Sequence, residues 1–245
     1  MEKKALITAV YPVVNGNGAN YIAMNLAFQT KEKHPNKKVA LLDFDFANPN
    51  LGVALIEDEV HGIDNLMDKL YGNVLTDELF LDNMIQIKDG IDLLRGSKMG
   101  HFQNFIAQSH LDLIVEKLGA HYDYVFISCS ASHLDSGTPT ALFKADRLAV
   151  VARHNFINEV QTRKTVQIIQ EMYNKENVKV MYNFYAGQSK AEVSADFAKW
   201  EVIGLIPHQP ETIDNLDLVK TQFVRNKKSK DVKAVYGKIL EKMDI

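Results

Sequence analysis

Short apolar runs alternate along this chain with longer stretches in which apolar residues recur at helical spacing. The runs lie at 5–10, 39–43, 91–94, 124–128, 147–152, 178–182 and 202–206 and are rich in Val, Ile and Leu. Continuous rather than alternating hydrophobicity marks strands covered on both faces. Helical periodicity occupies 19–33, 62–69, 102–118, 138–144, 159–174, 190–199 and 229–243. This alternation predicts βαβ units and an α/β fold, with a mostly parallel central sheet of about seven strands and helices on both faces. The last helical stretch carries Val232, Val235, Ile239, Leu240 and Met243 as a stripe, which predicts a helix packed on the domain. No internal repeat, low-complexity tract or linker interrupts the series, so residues 1–245 read as one domain.

Composition changes this picture little. A length of 245 residues suits one large α/β domain, and 46% hydrophobic with 24% charged residues is ordinary for a globular chain. The net charge of −3 gives no sign of the concentrated basic face that nucleic-acid binding needs. The single cysteine, Cys129, excludes an internal disulfide and a Cys-based metal cluster and fits a reducing compartment. The apolar run after Lys4 is too short for a signal peptide, and none approaches the roughly 20 residues of a spanning helix. A cytoplasmic protein is therefore expected, with peripheral membrane contact left open.

The chemistry-bearing residues form few constellations. The eight histidines are scattered without metal-ligand spacing and are expected at the surface. Ser128, Ser130 and Ser132 stand near His133 and Asp135, but they crowd one loop and lack the strand–turn–helix serine motif of hydrolases. Cys129 is expected at the end of a buried strand, without the electropositive setting of a reactive thiol.

The loop after the first strand is more informative. Val14-Asn15-Gly16-Asn17-Gly18-Ala19-Asn20-Tyr21 joins a strand to a helix, the geometry in which backbone N–H groups face an anion. With the Ala23-x-Asn25-Leu26-Ala27 that follows, it resembles the deviant Walker A loop of the ParA/MinD family of P-loop ATPases. The resemblance covers nearly the whole chain. Asp43-Phe44-Asp45 before Pro49-Asn50-Leu51-Gly52 is similar to the family's D-x-D strand and turn. The run 123–132 matches its Walker B strand, and Thr140-Ala141-Leu142 with Ala145-Asp146 and Val150-Val151 matches the segment after it. Ile91 to Gly96, Asn183 at the end of a strand, and Gly204-Leu205-Ile206-Pro207 resemble further family motifs, the last two being base-side.

The resemblance implies both a site and its defects. Gly16, Asn17, Gly18, Ala19, Asn20 and Tyr21 would cradle phosphate, with Asn183 and Pro207 near the base. Asn20 and Asp43 would hold metal, and Asp45 would orient the attacking water if the protein were active. Yet the family's signature lysine falls on Val14, its phosphate lysine on Ala19, its metal-binding hydroxyl on Asn20 and its Walker B aspartate on Ser128. Losing the lysine removes a charge-assisted contact of roughly 1.5–3 kcal/mol and transition-state stabilisation besides. The expectation is a pseudo-ATPase without cofactor, a scaffold or localisation factor for protein partners in a partitioning, pilus, secretion or conjugation assembly, and a homodimer. The alternative is a divergent ATPase or nucleotide sensor that still binds ATP or ADP with Mg²⁺.

Overall fold

A computed structural model describes residues 4–56, 61–87, 90–97, 106–187, 200–208 and 229–245. Eight strands form one sheet: β1 (Leu6–Pro12), β2 (Val39–Phe44), β3 (Ile85–Ile87), β4 (Ile91–Leu94), β5 (Tyr124–Cys129), β6 (Arg147–Arg153), β7 (Val178–Tyr185) and β8 (Glu201–Pro207). Their spatial order is β3-β4-β2-β5-β1-β6-β7-β8. All pairings are parallel except that of β3 with β4. The apolar runs thus occupy the seven parallel strands, in accord with the expected sheet. The eighth strand, β3, is a three-residue edge piece with Gln86 exposed between buried Ile85 and Ile87, too short to leave a readable period.

Helices cover both faces, again as expected. α1 (Ala19–Lys33) and the terminal helix, here α8 (Ser229–Lys242), share one apolar layer. α5 (Gln108–His121), α6 (Gly137–Lys144) and α7 (Phe156–Tyr173) pack on the other. Each layer buries a near-continuous wall of aliphatic side chains, each worth roughly 1.5–3 kcal/mol once removed from water. In α8, Val232, Ile239 and Leu240 are buried as the stripe predicted, Tyr236 joins them, and Met243 is buried just past the helix end.

Several boundaries differ from the periodic reading. The stretch 62–69 breaks into a 3-10 turn (Ile63–Leu66) and α3 (Met67–Tyr71). The helix expected over 102–118 has residues 102–105 outside the described residues and runs instead over α5, because Ala107 is extended and starts it late. α7 begins at Phe156 rather than 159, since Asn155 caps it by accepting from the Asn158 N–H at 2.9 Å. The short helices α2 (Leu51–Leu55) and α4 (Asp77–Leu81) are too brief to show a period. The stretch 190–199 lies outside the described residues.

Candidate functional site

β1 lies between β5 and β6, so the loop that leaves it emerges at the carboxyl edge of the sheet, where parallel α/β folds place their ligands. The turn closes when the Asn17 N–H donates to the Val14 carbonyl at 3.1 Å. Gly16 (φ 83°) and Gly18 (φ 90°) take left-handed backbone, which explains why glycine stands at both positions. Gly18 is the N-cap of α1, leaving the N–H groups of Ala19, Asn20 and Tyr21 without carbonyls inside the helix.

Buried amides fix this loop. Asn17 Nδ2 donates to the Val151 carbonyl at 3.2 Å and to Asn158 Oδ1 at 2.8 Å. Asn183 Nδ2 donates to the Asn17 carbonyl at 2.9 Å, and Asn183 Oδ1 accepts from the Phe184 N–H. The structure therefore brings Asn183 to the loop. Tyr21 turns away, packing its ring on the α1–α8 layer, where burial pushes its hydroxyl up to about 12. Pro207 ends β8 in an exposed position opposite Tyr185.

Asn20 and Ser128 meet. The Ser128 hydroxyl, fully buried at the end of β5, donates to Asn20 Oδ1. In β2, both carboxyl oxygens of buried Asp43 accept backbone N–H groups, Oδ1 from Asp45 at 3.2 Å and Oδ2 from Leu51 at 2.9 Å. Burial nonetheless pushes this carboxyl up to about 7, with the Asp45 charge adding to the rise and the two N–H donors and Arg95 opposing it. Asp45 accepts from the Asn48 N–H at 3.0 Å and is raised by burial and by Asp135. Cys129 is buried and its thiol is pushed up, foremost by burial, so the inert-thiol reading stands. Among the described residues, no group of three His, Cys, Asp or Glu is placed to hold a metal ion.

Sequence reasoning set Asp135 aside with the serine cluster and missed Asn158 and Arg153. Asp135 is buried beside Asp45, accepting from the Gly137 and Thr138 N–H groups, with Oδ2 lacking a partner. Asn158 supplies the amide that holds Asn17. Arg153 donates to the Gly16 carbonyl at 3.0 Å and stacks 4.7 Å over the Phe184 ring. The signal for Arg153 and Asn158 is the register of β6 on β1, Pro12 against Val151, which no local pattern carries. The surface assignment of the histidines also needs correction at His154. Its side chain is only 7% exposed, 3.6 Å from the Glu159 carboxylate and edge-on to Tyr182 and Tyr185.

No protein-family model matches the sequence, and no curated protein matches it. Solved structures do. A ParA family ATPase from Chlorobium tepidum is similar with a TM-score of 0.80 at 15% identity, over 96% of this chain and 96% of that one. The MinC:MinD cell division complex of Aquifex aeolicus gives 0.77 at 20%, over 98% and 96%. The septum site-determining protein MinD of Pyrococcus horikoshii, complexed with Mg-ADP, gives 0.74 at 19%, over 98% and 96%. The chain therefore has the ParA/MinD fold, as its motifs implied. No helix among the described residues is long and apolar enough to cross a membrane.

Proposed function

We propose that residues 1–245 form a single cytoplasmic domain of ParA/MinD fold that has given up nucleotide turnover and acts as a scaffold or localisation factor. Its partners are other proteins of a partitioning, pilus, secretion or conjugation assembly, and it self-associates without nucleotide. The observation that carries this reading is the hydrogen bond from Ser128 to Asn20. The two positions that would face a magnesium ion in an active relative satisfy one another, as a neutral amide and a hydroxyl. Nothing in that pair offers the hard anionic oxygen that Mg²⁺ takes in preference to water.

The surrounding chemistry supports the same conclusion. Ala19 brings no charge to offset a triphosphate, and Val14 none to reach across to a second copy. Asp43 has both oxygens engaged by backbone N–H groups and a raised pKa, so it serves the shape of the 45–51 turn. A magnesium–triphosphate group does not fit this residue set, and no chemical step is assigned to it. The loop's left-handed glycines and its position at the amino end of α1 favour a second reading, a sensor that binds ATP or ADP without hydrolysing it.

Calorimetric titration of the full chain with Mg-ATP and Mg-ADP separates the readings. No heat at ligand concentrations up to about 1 mM, a ceiling of roughly 4 kcal/mol, is expected for the scaffold. Micromolar binding without phosphate release would establish the sensor instead, and phosphate release would restore an enzyme.

A further inference from the structure

The carboxyl end of β4 carries a buried cation that the glycine loop leaves unused. Arg95 directly follows the strand and is only 9% exposed. A guanidinium is not deprotonated in proteins, so burying it without an anion is costly. Its Nη1 is buried and, among the described residues, has no hydrogen-bond partner. Asp43 is the carboxyl whose charge interacts with it. Yet Asp43 gives Oδ1 to the Asp45 N–H and Oδ2 to the Leu51 N–H, and neither bond serves Arg95.

The backbone around Arg95 is shaped to admit it. The side chain lies across Gly52, in the first turn of α2. A Cβ at Gly52 would stand 2.5 Å from Arg95 Nε, 2.8 Å from Cγ and 3.0 Å from Cδ, so any larger residue would push the arginine aside. The Arg95 carbonyl accepts from the Ile63 N–H at 3.1 Å, which fixes the strand end. Gly96 comes so close to the 45–51 turn that a Cβ there would stand 2.8 Å from Pro49 Cβ. That turn is exposed at Ala47, Asn48 and Asn50, so Arg95 is buried beside chain that faces water.

Buried polar groups are nearly always paired, and a donor without a protein partner points to a water or an ion. Water would accept the hydrogen bond and leave the charge. An oxyanion answers both, through a charge-assisted bond. We propose that Arg95 is the centre of a binding site for a small oxyanion, a carboxylate or phosphate group, at the carboxyl edge of β2 and β4. The anion accepts from Nη1 and offsets the guanidinium charge. In the sheet order β2 and β5 separate β4 from β1 and its loop, so the site is distinct from the glycine loop. It stands whichever way the Mg-ATP titration falls.

Thermal unfolding of the full chain in sodium phosphate or sodium acetate, against sodium chloride of equal ionic strength, tests it. About 20 mM of the preferred anion should raise the midpoint by about 2–4 °C, as a site roughly four-fifths filled does in a chain of this size. Phosphate also stabilises by exclusion from protein surfaces, so the decisive quantity is the part of the rise that a variant loses. Arg95→Met should lose the anion-specific rise. Gly52→Ala keeps the arginine but displaces it, and should lose the rise as well; it serves if Arg95→Met fails to fold. No rise with either anion in the wild type overturns the proposal, as does a rise that survives in either variant. A rise removed by Gly16→Ala instead would place the anion on the glycine loop and overturn it too.

Discussion

Replacing Gly18 by alanine tests whether the phosphate-type loop is held by the buried amides around it. Gly18 has φ 90° and ψ 33°, a conformation that costs an L-residue roughly 1–2 kcal/mol. A Cβ there would also run into Asn183 Nδ2, the group that donates to the Asn17 carbonyl at 2.9 Å. Displacing it leaves buried polar groups unpaired, for about 1–3 kcal/mol more. Gly18→Ala should therefore destabilise by about 2–5 kcal/mol in all. Gly16 provides the control. Its φ of 83° is similar, but nothing lies within 4 Å of where its Cβ would stand, so Gly16→Ala should cost the backbone share alone. Urea denaturation of both variants, with midpoint and slope fitted separately, reads the difference. Losses equal to within about 0.5 kcal/mol would refute the reasoning, because the Asn183 clasp would then hold nothing. Adding Asn183→Ala to Gly18→Ala should cost less than the sum of the two single changes, since the second removes the obstacle met by the first.

Two further outcomes follow from the same edge of the sheet. The carboxyl of Asp43 is raised in the folded chain to about 7 from an ordinary value of about 3.9. Its contribution to stability is thus complete below about pH 4 and is lost as pH rises through about 7, a change of up to about 4 kcal/mol. Asp45 and Asp135, raised as well, tilt stability in the same direction. Denaturation between pH 4 and 8 should show wild-type stability falling with pH and a shallower fall in Asp43→Asn; parallel profiles would remove Asp43 from the account. The Ser128–Asn20 bond calls for a double-mutant cycle of Ser128→Ala and Asn20→Ala, with a coupling of about 0.5–1.5 kcal/mol expected. Additive losses would mean that the two side chains are not bonded, and with them the observation behind the proposed function would go.

Hydrophobic pattern alone determined the parallel strands and both helical layers, because burying both faces of a parallel sheet demands unbroken Val, Ile and Leu runs that no helix needs. Motif residues in local order likewise marked the glycine loop, the D-x-D strand and the substitutions at Val14, Ala19, Asn20 and Ser128. Three of the short elements escaped, since α2, α4 and β3 complete too few repeats for a period to register. What the residues do to one another was decided in three dimensions. Ser128 stands 108 positions from Asn20, and Asn158 stands 141 from Asn17. Only the register of β5 and β6 on either side of β1 sets those pairs in contact. The raised pKa of Asp43 shares that origin, because burial belongs to the packed chain and local sequence does not carry it.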